Sequence, residues 1–237
     1  SHALCLEVSR RVKERSPGSI TVHGGPDTPK YERDVERYFA ANPHVDVTVR
    51  GEGEVTTAEL LAALRPVIGS AEPDLTVLAD VAGLSFRTPE GPVSTADRER
   101  IADLDTIPSP YLMGLVDMYR DVPDVMVTLE TNRGCPYGCT FCDWGSATTS
   151  RVRKYDIDRV FGELQWCSDM RITSVSVADA NFGMFARDVD IAAELARVRS
   201  TSDFPRAFGV SYAKNTVKHL EQIIGMLTDA GVMSQGV

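Results

Sequence analysis

The chain has 237 residues, 43% of them hydrophobic and 25% charged, with a formal net charge of −9. This is a globular composition with room for one large domain or two small ones, and its acidity argues against nucleic-acid backbone binding, which needs a basic face. No run of about 18 apolar residues occurs, so no membrane span is expected, and an odd count of five cysteines argues against a disulfide framework.

From 3 to 15, Leu4, Leu6, Val8 and Val12 recur at helical spacing among charges, and Ser16-Pro17-Gly18 stops that helix. Residues 19–23 read as a short buried strand broken by Gly24-Gly25-Pro26. A helix is expected over 31–41, with Val35, Tyr38 and Phe39 inward. A strand over 45–49 then runs into Arg50-Gly51-Glu52-Gly53-Glu54. A helix over 57–67 follows, with Leu60, Leu61 and Leu64 on one face. Alternating strands and helices predict a parallel, doubly wound α/β sheet in residues 1–70, with ligands at the carboxyl ends of its strands. Glycine at such ends lets backbone N–H groups approach a large ligand, although Gly-Gly-Pro taken alone reads as a tight turn. His23 lies within the strand, before the glycine loop, and is expected to be packed or hydrogen-bonded. Residues 74–95 alternate around Thr88-Pro89-Glu90-Gly91 as a hairpin. The prolines of 104–111 suit an extended connector, so 71–124 is expected to join two domains.

Residues 125–237 predict three βα units and the opening of a fourth. The strands are 125–130, 174–178 and 207–211; the helices are 157–170, 189–199 and 216–230, the last capped by Gly231. This is the pattern of the first half of a (β/α)-barrel, whose active groups gather at the C-terminal ends of strands.

The first of these strands runs into Arg133-Gly134-Cys135-Pro136-Tyr137-Gly138-Cys139-Thr140-Phe141-Cys142-Asp143-Trp144-Gly145. Three thiolates at this spacing, Cys135, Cys139 and Cys142, can hold three irons of a [4Fe–4S] cluster and leave the fourth open. An ordinary electron-transfer cluster takes four cysteines. The alternatives are zinc and unligated thiols. Structural zinc wants four ligands, usually two Cys-x-x-Cys pairs; no second pair exists, and His2, His23, His44 and His219 are all distant in sequence. Cys5 and Cys167, on helical patterns beside Leu6 and Trp166, are expected to be buried small apolar residues. Arg151, Arg153 and Lys154 read as a solvated basic face.

This cysteine spacing, with Phe141 just before the third cysteine, resembles the signature of radical S-adenosylmethionine enzymes. The resemblance implies that the methionine amino and carboxylate groups chelate the open iron, and that reduction releases a 5′-deoxyadenosyl radical. It also implies a place for Asp179-Ala180-Asn181-Phe182-Gly183 after the second strand, where Asp179 or Asn181 accepts from the methionine ammonium; a simple Asx turn is the other reading. Ser211, Tyr212, Lys214 and Asn215 would meet the methionine carboxylate or ribose, Phe141 would contact adenine, and Trp144 would pack beside the loop.

The order helix, Val22-His23-Gly24-Gly25-Pro26, helix, residues 45–54, helix is similar to the second half of the cobalamin-binding domain attached to many such enzymes. That resemblance covers about 3–67. It implies that Gly24, Gly25, Pro26, Gly51, Glu52, Gly53 and Glu54 face cobalamin; a fold of this type that has lost its ligand is the alternative. The family's domain begins with further strands and helices upstream, so a longer parent protein is expected. The combined expectation is a cytoplasmic, cobalamin-dependent radical S-adenosylmethionine methyltransferase acting on an unactivated carbon or phosphorus of a small molecule. It would draw electrons from an external donor such as flavodoxin or ferredoxin, with no nucleic-acid or membrane partner. Radical ring contraction or cyclisation, and a non-catalytic cofactor-binding fragment, are the rivals.

Overall fold

The computed structural model describes residues 2–120, 122–139, 151–213 and 217–236. They form two compact units, Ser1–Ile101 and Ala102–Val237.

The first unit opens with α1 (His2–Arg15) and β1 (Val22–His23), followed by α2 (Glu32–Ala41), β2 (Val47–Val49) and α3 (Gly53–Leu64). The hairpin β3 (Leu84–Thr88) and β4 (Gly91–Ser94) completes a four-stranded sheet in the order β1-β2-β3-β4. Only β1 and β2 are parallel; β3 pairs antiparallel with β2, with Val47 opposite Phe86. The sheet is therefore mixed rather than wholly parallel. The hairpin belongs to this unit rather than to a connector over 71–124, and the reason lies in its buried face. Leu84 and Phe86 share one core with Val47, Val49, Leu60 and Leu64, each such side chain contributing about 1.5–3 kcal/mol on burial.

Two arginines tie the hairpin down. Arg50, whose side chain is only 8% exposed, donates to the carbonyls of Leu84 and Thr95, to Ser85 Oγ and to Asp97. Arg87 donates to the carbonyls of Phe39, Asn42 and Val45 while stacked over the Phe39 ring. It thereby adds a side-chain donor to carbonyls at the C-terminus of α2 that already accept backbone N–H groups.

Helix α1 departs from expectation. None of its residues is buried, and Leu4, Val8 and Val12 form an exposed stripe. Cys5 is exposed as well, not a core residue, because only Leu6 of this helix joins the small core of Val35, Phe39 and Val45.

The second unit holds a parallel sheet in the order β10-β9-β8-β5, made by β5 (Met126–Leu129), β8 (Ser174–Phe182), β9 (Ala207–Tyr212) and β10 (Met233–Gly236). Helices α4 (Ile157–Asp169), α5 (Ala186–Ser202) and α6 (Val217–Asp229) make the crossovers. Cys167 is fully buried, and burial pushes its thiol well up. The segment after Ile101 packs on this unit: Tyr111 donates to the Thr128 carbonyl and its ring lies 4.8 Å from that of Trp166. Strand β8 runs four residues beyond the predicted 178, to Phe182, which pairs with Tyr212 after an irregularity and packs edge-on against Phe208. Asp179 and Asn181 thus sit in a strand, not in a loop.

Candidate cluster site and glycine loops

Beyond β5, the chain crosses Glu130 and Thr131 into β6 (Asn132–Arg133), which pairs antiparallel with β7 (Arg153–Lys154). This short ribbon brackets the cysteine segment. Cys135 and Cys139 are half-buried thiols without disulfide partners. Cys142, Phe141 and Trp144 lie outside the described residues, as do Lys214 and Asn215. Among the described residues no group of three or more His, Cys, Asp or Glu side chains is gathered for a metal.

The entry to the loop is fixed by β8. Asp179 is 2% exposed and accepts four donors. Its Oδ1 takes the backbone N–H groups of Thr131 (2.8 Å) and Asn132 (3.1 Å). Its Oδ2 takes the Thr131 hydroxyl and the Asn132 side-chain amide. Burial pushes the Asp179 carboxyl up to about 6, with the bonds from Thr131 and Asn132 pulling it down and the charge of Asp188 adding to the rise. At neutral pH the four donors therefore face an anion. Two residues on, in the irregular last part of β8, Asn181 directs its Nδ2 to Cys135 Sγ at 3.2 Å. An amide N–H aimed at this sulfur is a partner that suits a cysteine ligand of an iron site.

Glu130, Arg133 and Tyr155 buttress the ribbon. Arg133 grips the Glu130 carboxylate through Nε (3.0 Å) and Nη2 (2.7 Å), the two-pronged geometry that makes such pairs strong. The Tyr155 hydroxyl donates to the same carboxylate, and the Arg159 guanidinium lies 4.3 Å from the Tyr155 ring centroid. Burial and then the Glu130 charge push the Tyr155 phenol up to about 12. Its backbone N–H bonds the Thr131 carbonyl, and Arg187 holds its own carbonyl at 2.8 Å. Lys154 sits over the Phe185 ring and Arg153 is half-buried, so only Arg151 and Lys154 of the basic run are exposed.

At the end of β9, Ser211 is half-buried and Tyr212 shares its hydroxyl with Ser234 of β10. Asp188 accepts from the N–H groups of Gly183 and Phe185, closing the first turn of α5. Thr131, Asn132, Glu130 and Tyr155 drew no notice in the sequence. The available signal was two polar residues, Asp179 and Asn181, closing an apolar strand, which implies partners on the neighbouring loop.

In the first unit, β1 and β2 are parallel neighbours, with His23 opposite Thr48. Their following loops, at 24–26 and 50–54, therefore leave from the same edge. Gly24, Gly25, Pro26, Gly51 and Glu54 are exposed. Gly25 and Gly51 have φ of +88° and +72°, and a Cβ added to either would meet nothing within 4 Å. Gly53 and Glu54 already belong to α3, and Glu52 at its N-cap makes no side-chain cap but accepts the Ile101 N–H at 2.8 Å. Bare backbone over open space is the surface a large planar ligand needs. His23 bonds Ser9 through Nε2 at 2.8 Å, and burial, then His44 and His2, lower its affinity for a proton.

No family model matches the chain. It is 39% identical over 234 residues to the 2-(S-pantetheinyl)-carbapenam-3-carboxylate methyltransferase of Streptantibioticus cattleyicolor, covering 96% of this chain and 33% of that protein. It is 38% identical over 233 residues to the cobalamin-dependent radical SAM methyltransferase TokK of Streptomyces tokunonensis, again covering 96% and 33%. The fold matches the radical S-adenosylmethionine methyltransferase TsrM of Kitasatospora setae with a TM-score of 0.58 at 16% identity, over 97% of this chain and 51% of that one. The chain spans about a third of the length of the curated relatives it matches. The chain is thus similar in sequence to about a third of two such methyltransferases, one of them named as a cobalamin-dependent radical SAM enzyme, and similar in fold to part of a third.

Proposed function

We propose that the protein transfers a methyl group to an unactivated carbon of a small natural product, using a [4Fe–4S] cluster, S-adenosylmethionine and cobalamin. The observation that carries this reading is the cysteine segment following β5, with Asn181 at the end of the adjacent strand donating to Cys135. Cys135, Cys139 and Cys142 would hold three irons; with S-adenosylmethionine bound, the cluster supplies a 5′-deoxyadenosyl radical and cobalamin supplies the methyl group. Residues 1–101 would act as part of a cobalamin-binding domain and residues 102–237 as part of a radical barrel.

Around those groups the chain's own residues bind and orient. Gly24, Gly25, Pro26, Gly51 and Gly53 would offer backbone to cobalamin, with Glu52 and Glu54 at the rim. Asn181 keeps its carbonyl oxygen for the methionine ammonium, whereas Asp179 has its lone pairs filled. Ser211, Tyr212 and Lys214 would meet the methionine carboxylate or ribose, and Phe141 the adenine. A carbapenam of the kind named for the relative is the first substrate class to test. Among the described residues no helix is long and apolar enough to cross a membrane. A reducing, cytoplasmic setting with an external one-electron donor such as flavodoxin or ferredoxin suits the cluster.

Anaerobic reconstitution is expected to give about four irons and four sulfides per chain. Cys135→Ala, Cys139→Ala or Cys142→Ala should each abolish it, while Cys5→Ala and Cys167→Ala keep full iron content. The loaded full-length protein, given reductant, should release 5′-deoxyadenosine and a methylated product. Iron uptake that depends on Cys167, or no 5′-deoxyadenosine above a no-enzyme control, would overturn the reading.

A further inference from the structure

We infer that Asn181 is a positioning residue for the cluster, setting the electron affinity of the iron site through its N–H···S bond to Cys135, with Asp179 as the clamp that holds Cys135 within its reach. The inference rests on the cluster reading above.

Three observations lead to it. First, Asp179 is fully occupied. An ionised carboxylate has about four acceptor positions, and four donors from Thr131 and Asn132 fill them. A buried carboxylate so filled fixes two consecutive residues, four and three positions ahead of the first cysteine, against β8. Second, Asn181 belongs to the same strand, two residues on, and is itself buried, so its amide is delivered to Cys135 by β8 rather than by a mobile loop. Third, Gly183 and Phe185 are held just beyond by Asp188, and Phe182 is packed on Phe208, so the strand end carrying Asn181 is pinned on its far side too.

A donor to a ligating sulfur stabilises the more negative, reduced cluster and so raises its potential. Asn181 would thereby ease the electron entry on which cleavage depends. The residue acts on the cysteine ligand, a role separate from any contact of its carbonyl oxygen with the methionine ammonium.

The test uses the full-length protein, reconstituted anaerobically, as wild type, Asn181→Leu and Asn181→Asp. Leucine keeps the volume without a donor; aspartate keeps the shape and replaces the donor by an acceptor. Iron content, far-UV circular dichroism and a redox titration followed by electron paramagnetic resonance are measured without S-adenosylmethionine, which removes any contribution from that ligand. Asn181→Leu should keep its iron and become about tenfold harder to reduce, a shift of ~59 mV to lower potential for a one-electron couple; Asn181→Asp should shift further the same way. Loss of iron with an unchanged dichroism spectrum also supports the assignment, since Cys135 is then misplaced in a folded chain. Wild-type potentials in both variants with intact clusters would overturn it while leaving the cluster reading standing. A wild-type protein that takes up no iron would overturn both.

Discussion

The strand ends after β2 and after β8 both carry polar side chains among glycines, and they use them in opposite ways. After β2, Arg50 and Glu52 turn back into their own unit. The arginine holds the β3–β4 hairpin and the glutamate receives the N–H of Ile101. What remains outward is backbone at Gly51. At the end of β8 the side chains themselves are the working groups, Asp179 on the loop entry and Asn181 on the cysteine sulfur. The charged letters of a motif are thus not always the ones that meet a ligand. In Arg-Gly-Glu-Gly-Glu two of them bond back into their own unit, and Gly51 is the glycine left outward.

The most severe way to break the comparison is at Asp179. Asp179→Ala leaves four donors without an acceptor, two of them backbone N–H groups, in a site that is 2% exposed. Each buried unsatisfied group costs about 1–3 kcal/mol, so a loss of at least about 4 kcal/mol is expected. That would show in urea denaturation as loss of cooperative unfolding of the second unit, together with loss of reconstituted iron. A change below about 1 kcal/mol would mean that Thr131 and Asn132 find other acceptors and that Asp179 is no clamp.

That clamp was hidden from the sequence, although its neighbours were not. The three cysteines are local, so their spacing is read directly. Thr131 and Asn132 find their acceptor 48 and 47 residues away, and no periodicity reports a pairing of that range. Asp and Asn are depleted in strands, so β8 reads as ending at 178. Tertiary donors and the pairing of Phe182 with Tyr212 carry it on to 182. The hairpin was legible from its alternation and turn, but not the edge it joins, because that depends on Leu84 and Phe86 meeting Val47 and Val49 across the sheet. Helix α1 shows the opposite error: Cys5 on a helical pattern beside Leu6 reads as a buried residue, and it is exposed.

A second test separates the two kinds of charged letter. Arg50→Ala removes donors to two backbone carbonyls and to Ser85 and Asp97 from a side chain 8% exposed, and should cost about 2–4 kcal/mol in the first unit. Glu52→Gln keeps an acceptor for the Ile101 N–H and should stay within about 0.5 kcal/mol, with cobalamin affinity in the full-length protein unchanged within about threefold. A Glu52→Gln variant that folds normally but loses cobalamin tenfold would move this glutamate from the platform to the ligand-contacting surface.

The finest test concerns the glycines themselves. Gly51 and Gly183 share a positive φ, +72° and +88°, but not a neighbourhood. A Cβ on Gly51 would meet nothing within 4 Å, whereas on Gly183 it would lie 2.6 Å from Leu220 Cδ2. Gly183→Ala therefore pays for backbone strain and for displacing Leu220, and should destabilise the second unit by about 2 kcal/mol. Gly51→Ala meets only the strain, about 1 kcal/mol, so the protein without cofactors should melt only a few degrees lower. If the loop after β2 is a backbone platform, that added methyl still stands where the ligand must lie, and cobalamin affinity should fall by about tenfold, equivalent to ~1.4 kcal/mol. The pattern to look for is a glycine whose substitution harms binding more than folding in the first unit, beside one that harms folding first in the second. Equal cobalamin binding by Gly51→Ala and wild type would reduce the first loop to a turn that merely connects β2 to α3.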